Sequence, residues 1–272
     1  MKFLNVACGL TFLQSPEWTN VDFSRQTGVQ RVNLLDGIPF PSGQFDAVYC
    51  SHYVEHIQRS SVSDFLEECF RVLRPGGVFR LVTPDFLSMT KHYLDTYEEC
   101  RLDNATLAKT FILDQCVRKS SGGLLGGIQE DRRRGELDPG LADQLESRQG
   151  RLEVTFRESS QATFDRAKHL LQRARVRLSL SLLPKPYRLM NVSTAAVGEL
   201  HQWLYDFGEL SLELSNVGFV NIERFSPATS NLGDAFLELD LDVDGQPRKG
   251  EESMFLEAIK PTYEVQWWTS SI

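Results

Sequence analysis

The sequence predicts an α/β fold built on a parallel sheet, and three observations carry that prediction. Short apolar runs recur between residues 3 and 84, most of them closed by a glycine or a carboxylate, as buried strands are. An amphipathic stretch separates two of them and completes a strand, helix and strand unit. The chain also opens on such a run, Phe3 to Ala7, which breaks at Gly9 and so delivers a tight turn to one edge of the sheet.

Trp18 to Val21 is the second strand, closed by Asp22. A glycine turn after one strand and a carboxylate ending the next is the layout of a nucleotide site. Glycine lets the backbone approach the ligand, and the carboxylate accepts hydrogen bonds from ribose hydroxyls. The residues between Gly9 and Asp22, punctuated by Ser15-Pro16, leave room for a helical turn or two. Val29 to Leu35 reads as a third strand ending at Asp36, and Phe45 to Cys50 as a buried fourth, closed at Ser51-His52. Ser61-Val-Ser-Asp64 has the form of a capping box and opens a helix with Phe65, Cys69 and Val72 on one stripe. Arg74-Pro-Gly-Gly77 stops that helix, and Val78 to Thr83 is the fifth strand.

From 101 to 194 this rhythm breaks. Gly122-Gly123, Gly126-Gly127, the charge run Glu130 to Arg134 and Asp138-Pro-Gly140 mark loop, while Arg166 to Arg188 holds seven Lys or Arg and no carboxylate. The segment reads as an inserted helical cap, partly mobile. Its basic stretch, 166–188, is a solvated helix face, a partner for the chain's own carboxylates, or a contact for an anionic substrate or lipid surface. Regular alternation returns near Ala195. Asp206 with Glu209 forms a capping pair, Leu210, Leu214 and Val217 form an apolar stripe, and Gly218 stops the helix. Phe219 to Phe225 is a strand, and a polar turn between Leu237-Glu-Leu239 and Met254 to Ile259 reads as an antiparallel hairpin. The division is a core of 1–100 and 195–261, the insertion, and a tail, 262–272.

At 272 residues and 41% hydrophobic, the chain can bury one sizeable core. A net charge of -8 removes any global attraction to nucleic acid or anionic membrane. Five cysteines, an odd number with no C-x-x-C spacing, support neither a disulfide framework nor a zinc knuckle. With no apolar run long enough to span a bilayer and no signal peptide before the first strand, a cytoplasmic location is expected.

The order of these signals resembles a class I S-adenosylmethionine-dependent methyltransferase of the small-molecule type. The matching pieces are LNVACG (4–9), WTNVD (18–22), LLDGIPFPSGQFDAVYCSHYVEHI (34–57), ECFRVLRPGGVFRLVTPD (68–85), HQWLYDFGELSLELSNVGFVNIERF (201–225) and SMFLEAIKP (253–261). The resemblance implies a doubly wound, mostly parallel seven-stranded sheet, Rossmann-like, with S-adenosyl-L-methionine lying across the carboxyl ends of its first strands. It implies that Ala7, Cys8 and Gly9 pass under the methionine part, that Asp22 holds the ribose, that Leu35 and Asp36 flank the adenine, and that Ser51 and His52 face the methyl group. The chain departs from the family at Ala7, where the first glycine of a G-x-G is usual, and in lacking a helix before the first strand.

On this reading a methyl group passes to O or N of a small-molecule, glycan or lipid-linked acceptor by in-line displacement. His56 or His52 is a candidate general base, since imidazole titrates near working pH. A non-catalytic cofactor binder is the alternative. His52-Tyr-Val-Glu-His56 also matches the H-x-x-E-H pattern of inverted zinc peptidases, but that pattern needs a helix and a third ligand, and here it starts at a strand end, so no metal is assigned. Asp240-Leu-Asp242-Val-Asp244-Gly245 with Glu251 fits a calcium-loop pattern in which Pro247 and Arg248 sit badly. The sequence leaves the acceptor, the oligomeric state and calcium binding open.

Overall fold

The computed structural model describes residues 1–24, 26–117 and 201–262, with positions 128, 131, 134, 135 and 140 between them. Its strands are β1 (Phe3–Val6), β2 (Trp18–Asp22), β3 (Gln30–Arg31), β4 (Phe45–Ser51), β5 (Leu73–Pro84), β6 (Val220–Phe225) and β7 (Ser253–Ile259). Its helices are α1 (Val62–Val72), α2 (Phe86–Glu98), α3 (Leu102–Val117), α4 (Phe207–Val217) and the short α5 (Leu237–Asp240). The strands form one sheet in the order β3-β2-β1-β4-β5-β7-β6. β7 runs antiparallel to both β5 and β6, and the remaining pairs are parallel. The expected sheet is therefore present, with its order reversing between β1 and β4, where a crevice opens at the carboxyl edge.

Alternate residues of the central strands feed two cores. Leu4, Val6, Val48, Cys50, Phe79 and Leu81 pack with Phe65, Leu66 and Cys69 of α1 and with Leu210 and Leu214 of α4. Each such side chain contributes about 1.5–3 kcal/mol on burial, so α1 is held by packing. Its N-terminus is not held by the expected capping box: Ser61 makes no side-chain cap, because a 3-10 turn, Arg59–Ser61, runs straight into the helix. Asp206 does cap α4, accepting from the Glu209 amide at 2.9 Å, and Gly218 closes it in a left-handed conformation.

On the opposite face, Phe3, Ala47, Tyr49, Val82 and Phe255 pack with Phe236 and Leu239. The β1 to β2 crossover contains no helix at all. Trp18 covers the gap instead, its ring 5.0 Å from Phe3 and 6.2 Å from Phe236. The fully buried Arg80 locks residues 226–240 onto this face. Its guanidinium donates to Asp240 at 2.7 Å, to Glu257 at 2.8 Å and to the carbonyls of Thr229 and Ser226, while Tyr49 donates to the other Asp240 oxygen at 2.7 Å.

Three expectations are corrected. The third strand is two residues long, because the Val32 amide turns back to the Asp22 carbonyl and Asn33 caps a 3-10 turn, Leu34–Asp36. Leu237-Glu-Leu239 is helical, and the antiparallel partners of β7 are β5 and β6. The fifth strand starts at Leu73 and not at Val78: α1 ends at Val72, and Arg74-Pro-Gly-Gly77 bulges within β5, between the Phe45–Leu73 and Ala47–Val78 pairs. Of the inserted segment, α3 lies against α2, with Leu107 and Phe111 on Met89. The basic stretch 166–188 and the tail beyond Thr262 lie outside the described residues. Among the described residues no helix is long and apolar enough to cross a membrane.

Candidate functional site at the carboxyl edge

β1 ends in a backbone turn that carries both Ala7 and Gly9 at φ +52. The space above Gly9 is open: a Cβ built there would meet nothing within 4 Å. The turn is tied to β2, since the Gly9 amide donates to Asp22 Oδ2 at 2.9 Å and its carbonyl accepts from Gln26 at 2.8 Å. Ser24 fills part of Asp22 Oδ1 through its amide and hydroxyl, at 2.7 and 2.6 Å. A carboxylate offers about four lone-pair sites. The chain takes three, so Asp22 keeps acceptor capacity for a ligand hydroxyl, and Gln26 is a residue of this floor that the sequence reading did not name.

The neighbouring positions complete a cradle. Leu35 is 64% exposed at the β3 end of the edge, with Asp36 beside it held by Asn33 at 2.7 Å. Cys8 is buried, and burial first, with the Asp22 charge, pushes its thiol up to about 12, so it packs as an inert neutral group. Ser51 Oγ, at the end of β4, is buried and makes no hydrogen bond of ordinary geometry among the described residues. Open space over the turn, residual acceptor capacity on Asp22, an exposed aliphatic side chain and a buried hydroxyl fit a nucleoside joined to an amino acid, which is the shape of S-adenosylmethionine.

His52 follows Ser51 at φ +52, its amide bound to the Val82 carbonyl at 2.8 Å. Its Nε2 lies 3.1 Å from Ser253 Oγ, and that hydroxyl donates to the Lys249 carbonyl at 2.8 Å. Nε2 is therefore the donor, and in the neutral ring Nδ1 carries the lone pair. Nδ1 lies 3.3 Å from Glu55 Oε1. Burial holds His52 well below the ordinary imidazole value, helped by the positive fields of Lys249, His201 and His56. Glu55 is fully buried, and burial pushes its carboxyl up to about 7 against the opposing Thr83 hydrogen bond and Lys249 field. His56 sits one residue beyond, its ring edge-on to His201 at 4.4 Å. The sequence reading named His52 and His56 as site residues and missed Glu55, Thr83, Ser253 and His201. Glu55 lay inside the H-x-x-E-H pattern, whereas no local spacing announces His201.

Beside this edge is a cavity of about 650 Å³ lined by Asp85, Lys91, Asp206, Phe207, Gly208 and Arg224 among others. Asp85 caps α2 and accepts from Arg224 at 2.7 Å, so two helix N-termini and a fixed ion pair form its wall. The calcium pattern finds its first position occupied elsewhere: Asp240 is committed to Arg80 and Tyr49, and Asp242 caps its own turn through the amides of Asp244 and Gln246.

A family model described as a methyltransferase domain matches residues 15–81, from just before β2 to most of β5. A probable S-adenosylmethionine-dependent methyltransferase of Mycolicibacterium smegmatis is 40% identical over 62 residues, which span 23% of this chain and 23% of that protein. Among solved structures, a SAM-dependent methyltransferase from Archaeoglobus fulgidus aligns over 95% of this chain and 86% of its own, at 11% identity and a TM-score of 0.40. A putative methyltransferase from Bacillus halodurans aligns over 96% and 93%, at 12% identity and 0.38. From β2 to most of β5 the chain is therefore similar to S-adenosylmethionine-dependent methyltransferases, and it spans 23% of the length of the curated relative it matches.

Proposed function

We propose that the chain transfers a methyl group from S-adenosyl-L-methionine to an oxygen or nitrogen of a small-molecule or glycan acceptor. The observation that carries this reading is the cradle at the ends of β1, β2 and β4: an open left-handed turn at Gly9, Asp22 with acceptor capacity left, and the buried Ser51 Oγ, which makes no hydrogen bond of ordinary geometry among the described residues. The cofactor supplies an electrophilic sulfonium methyl. Asp22 would hold the ribose hydroxyls, Leu35 and Asp36 would bracket the adenine, and Ser51 would hydrogen-bond the methionine part.

The acceptor side is the cavity between α2 and α4. Its Asp85–Arg224 pair, Lys91 and the α4 N-terminus present both signs of charge to a hydroxylated ligand, while Leu87 and Phe207 supply an apolar floor, as suits a sugar or small polar molecule. Rate then comes from alignment of acceptor and methyl group. His52 holds its Nε2 proton toward Ser253 and its Nδ1 lone pair beside the buried Glu55 carboxylate, and it does not line the cavity, so in this arrangement it is a positioning residue at the strand end. A lipid-linked acceptor would draw on 166–188, outside the described residues.

Calorimetric titration of the full chain with S-adenosylhomocysteine, followed by transfer of a labelled methyl group to a panel of hydroxylated and amino acceptors, tests the reading. Binding that Asp22→Ala abolishes is the expected result, and no binding would overturn it. Binding without transfer to any acceptor would favour the silent binder.

A further inference from the structure

The H-x-x-E-H segment does something that the cofactor cradle does not explain. After His52 turns the chain, residues Val54–His56 form one 3-10 turn that carries Glu55 back against Thr83 of β5. Its carboxylate is fully buried. Thr83 donates to Oε2 at 3.2 Å, while Oε1 accepts no hydrogen bond, the nearby His52 Nδ1 lying off the bonding direction at 3.3 Å. The main chain of Glu55 fixes the third participant. Its carbonyl accepts from the amides of Gln202 and Trp203, at 2.6 and 3.3 Å, and this pins the loop before α4 so that His201 stands over His56. One carboxylate oxygen and one ring nitrogen from each histidine all lie within 4.8 Å of one another.

We propose that Glu55, His56 and His201 bind a divalent transition-metal ion of the zinc type. Two imidazoles and one carboxylate are a borderline donor set, and three protein ligands leave a fourth position for water or a ligand oxygen. Bonds of about 2.0–2.2 Å to such an ion place ligand atoms roughly 3.3–3.6 Å apart, so side-chain rotations of about 1 Å close the present spread. An ion here also gives a partner to the buried Glu55 carboxylate, whose Oε1 accepts no hydrogen bond among the described residues. Lys249 contributes a positive field at Glu55. Its ammonium competes with an ion for that carboxylate but offers the two histidines nothing. The site differs from the zinc-peptidase arrangement because His52 is not a ligand and His201 comes from a distant loop. Bound metal would clamp the end of β4 to the segment leading into Asp206, Phe207 and Gly208, which form one wall of the cavity.

This inference does not depend on methyl transfer. The full chain, stripped with chelator and dialysed, is titrated with Co²⁺ and with Zn²⁺. The expected result is one ion per chain, with the visible absorption of four- or five-coordinate Co²⁺ and its displacement by Zn²⁺. His56→Ala and His201→Ala each weaken binding at least roughly tenfold, whereas His92→Ala, on α2, leaves it unchanged. Glu55→Gln keeps the shape and the Thr83 contact; it tests the carboxylate without emptying a buried site, and metal-free melting of each variant reports folding. Absence of stoichiometric binding, or binding that the His56, His201 and Glu55 variants all retain, would overturn the assignment and leave Glu55 to a proton or to Lys249.

Discussion

Ala7 stands where the methyltransferases that the sequence resembles usually carry a glycine, and its backbone makes a quantitative prediction. A residue with a Cβ in the left-handed region costs about 1–2 kcal/mol, and Ala7 sits there at φ +52. Ala7→Gly recovers that cost. It also gives up about 0.4–1 kcal/mol through the looser unfolded chain, and about 0.4 kcal/mol for half of a buried methyl, since Ala7 is partly packed on the core. The net change falls between a loss of about 0.4 and a gain of about 1.2 kcal/mol. Ala7→Val adds a second branch to a strained backbone and should lose at least about 1–2 kcal/mol. An ordinary strand residue would give the reverse order, valine above alanine above glycine across about 1 kcal/mol. Urea unfolding of the three proteins decides between the two orders. S-adenosylhomocysteine titration of the same set should show binding retained or strengthened in Ala7→Gly and weakened in Ala7→Val. Valine as stable as alanine, or glycine less stable by 1 kcal/mol or more, would refute the left-handed turn.

Three further predictions concern other parts of the fold. Asp22→Asn should weaken S-adenosylhomocysteine by roughly tenfold or more, because a hydrogen bond to a charged acceptor is worth about 1.5–3 kcal/mol; calorimetry at constant salt measures it. Asp240 shares one guanidinium with Glu257, and burial pushes it up to about 6 despite Arg80. A carboxyl raised in the folded state gives stability that is full below its unfolded value and lost as pH rises through about 6. Asp240→Asn should therefore be less damaging at pH 7 than at pH 4, by on the order of 2–3 kcal/mol, in denaturant titrations at the two values. Gly77→Ala places a Cβ 2.9 Å from the Arg74 carbonyl and 3.1 Å from that of Asp46, both main-chain atoms; a loss of about 1–3 kcal/mol is expected in the same assay.

The strands and their ends were legible because each is a short apolar run stopped by a residue with a mechanical reason to stop it. Gly9, Asp22 and Ser51 were found in this way, as was the Asp206 cap of α4. The third strand was overread because Val29 to Leu35 is apolar enough for a strand, yet it lies at the edge of the sheet, where Asn33 can recapture the backbone as a turn. Leu237-Glu-Leu239 alternates like a strand, but Arg80 draws Asp240 inward and winds the segment. His201 was invisible for a different reason: its place is set by hydrogen bonds from the following two amides to the Glu55 carbonyl, and main-chain bonds of that kind leave no trace in residue type.

Ala7 and His52 carry the same strained dihedral, and the sheet explains why. β1 and β4 are neighbours in register, Val6 opposite Cys50, so the two left-handed residues break adjacent strands at nearly the same level. Two parallel strands that ended in extended backbone would carry their chains on together across the edge. Breaking both turns the two chains off the sheet at its carboxyl edge, where β2 ends at Asp22 and β4 at Ser51. Strain of this kind persists only when its surroundings overdetermine it. Ala7 is held through the Cys8 and Gly9 amides on Val21 and Asp22, and His52 through Val82 and Ser253. At His52 the break does a second thing, since the reversed chain is what returns Glu55 to Thr83 of β5. The proposed cofactor cradle and the carboxylate–histidine cluster thus both draw on the backbone break at His52, at the end of β4.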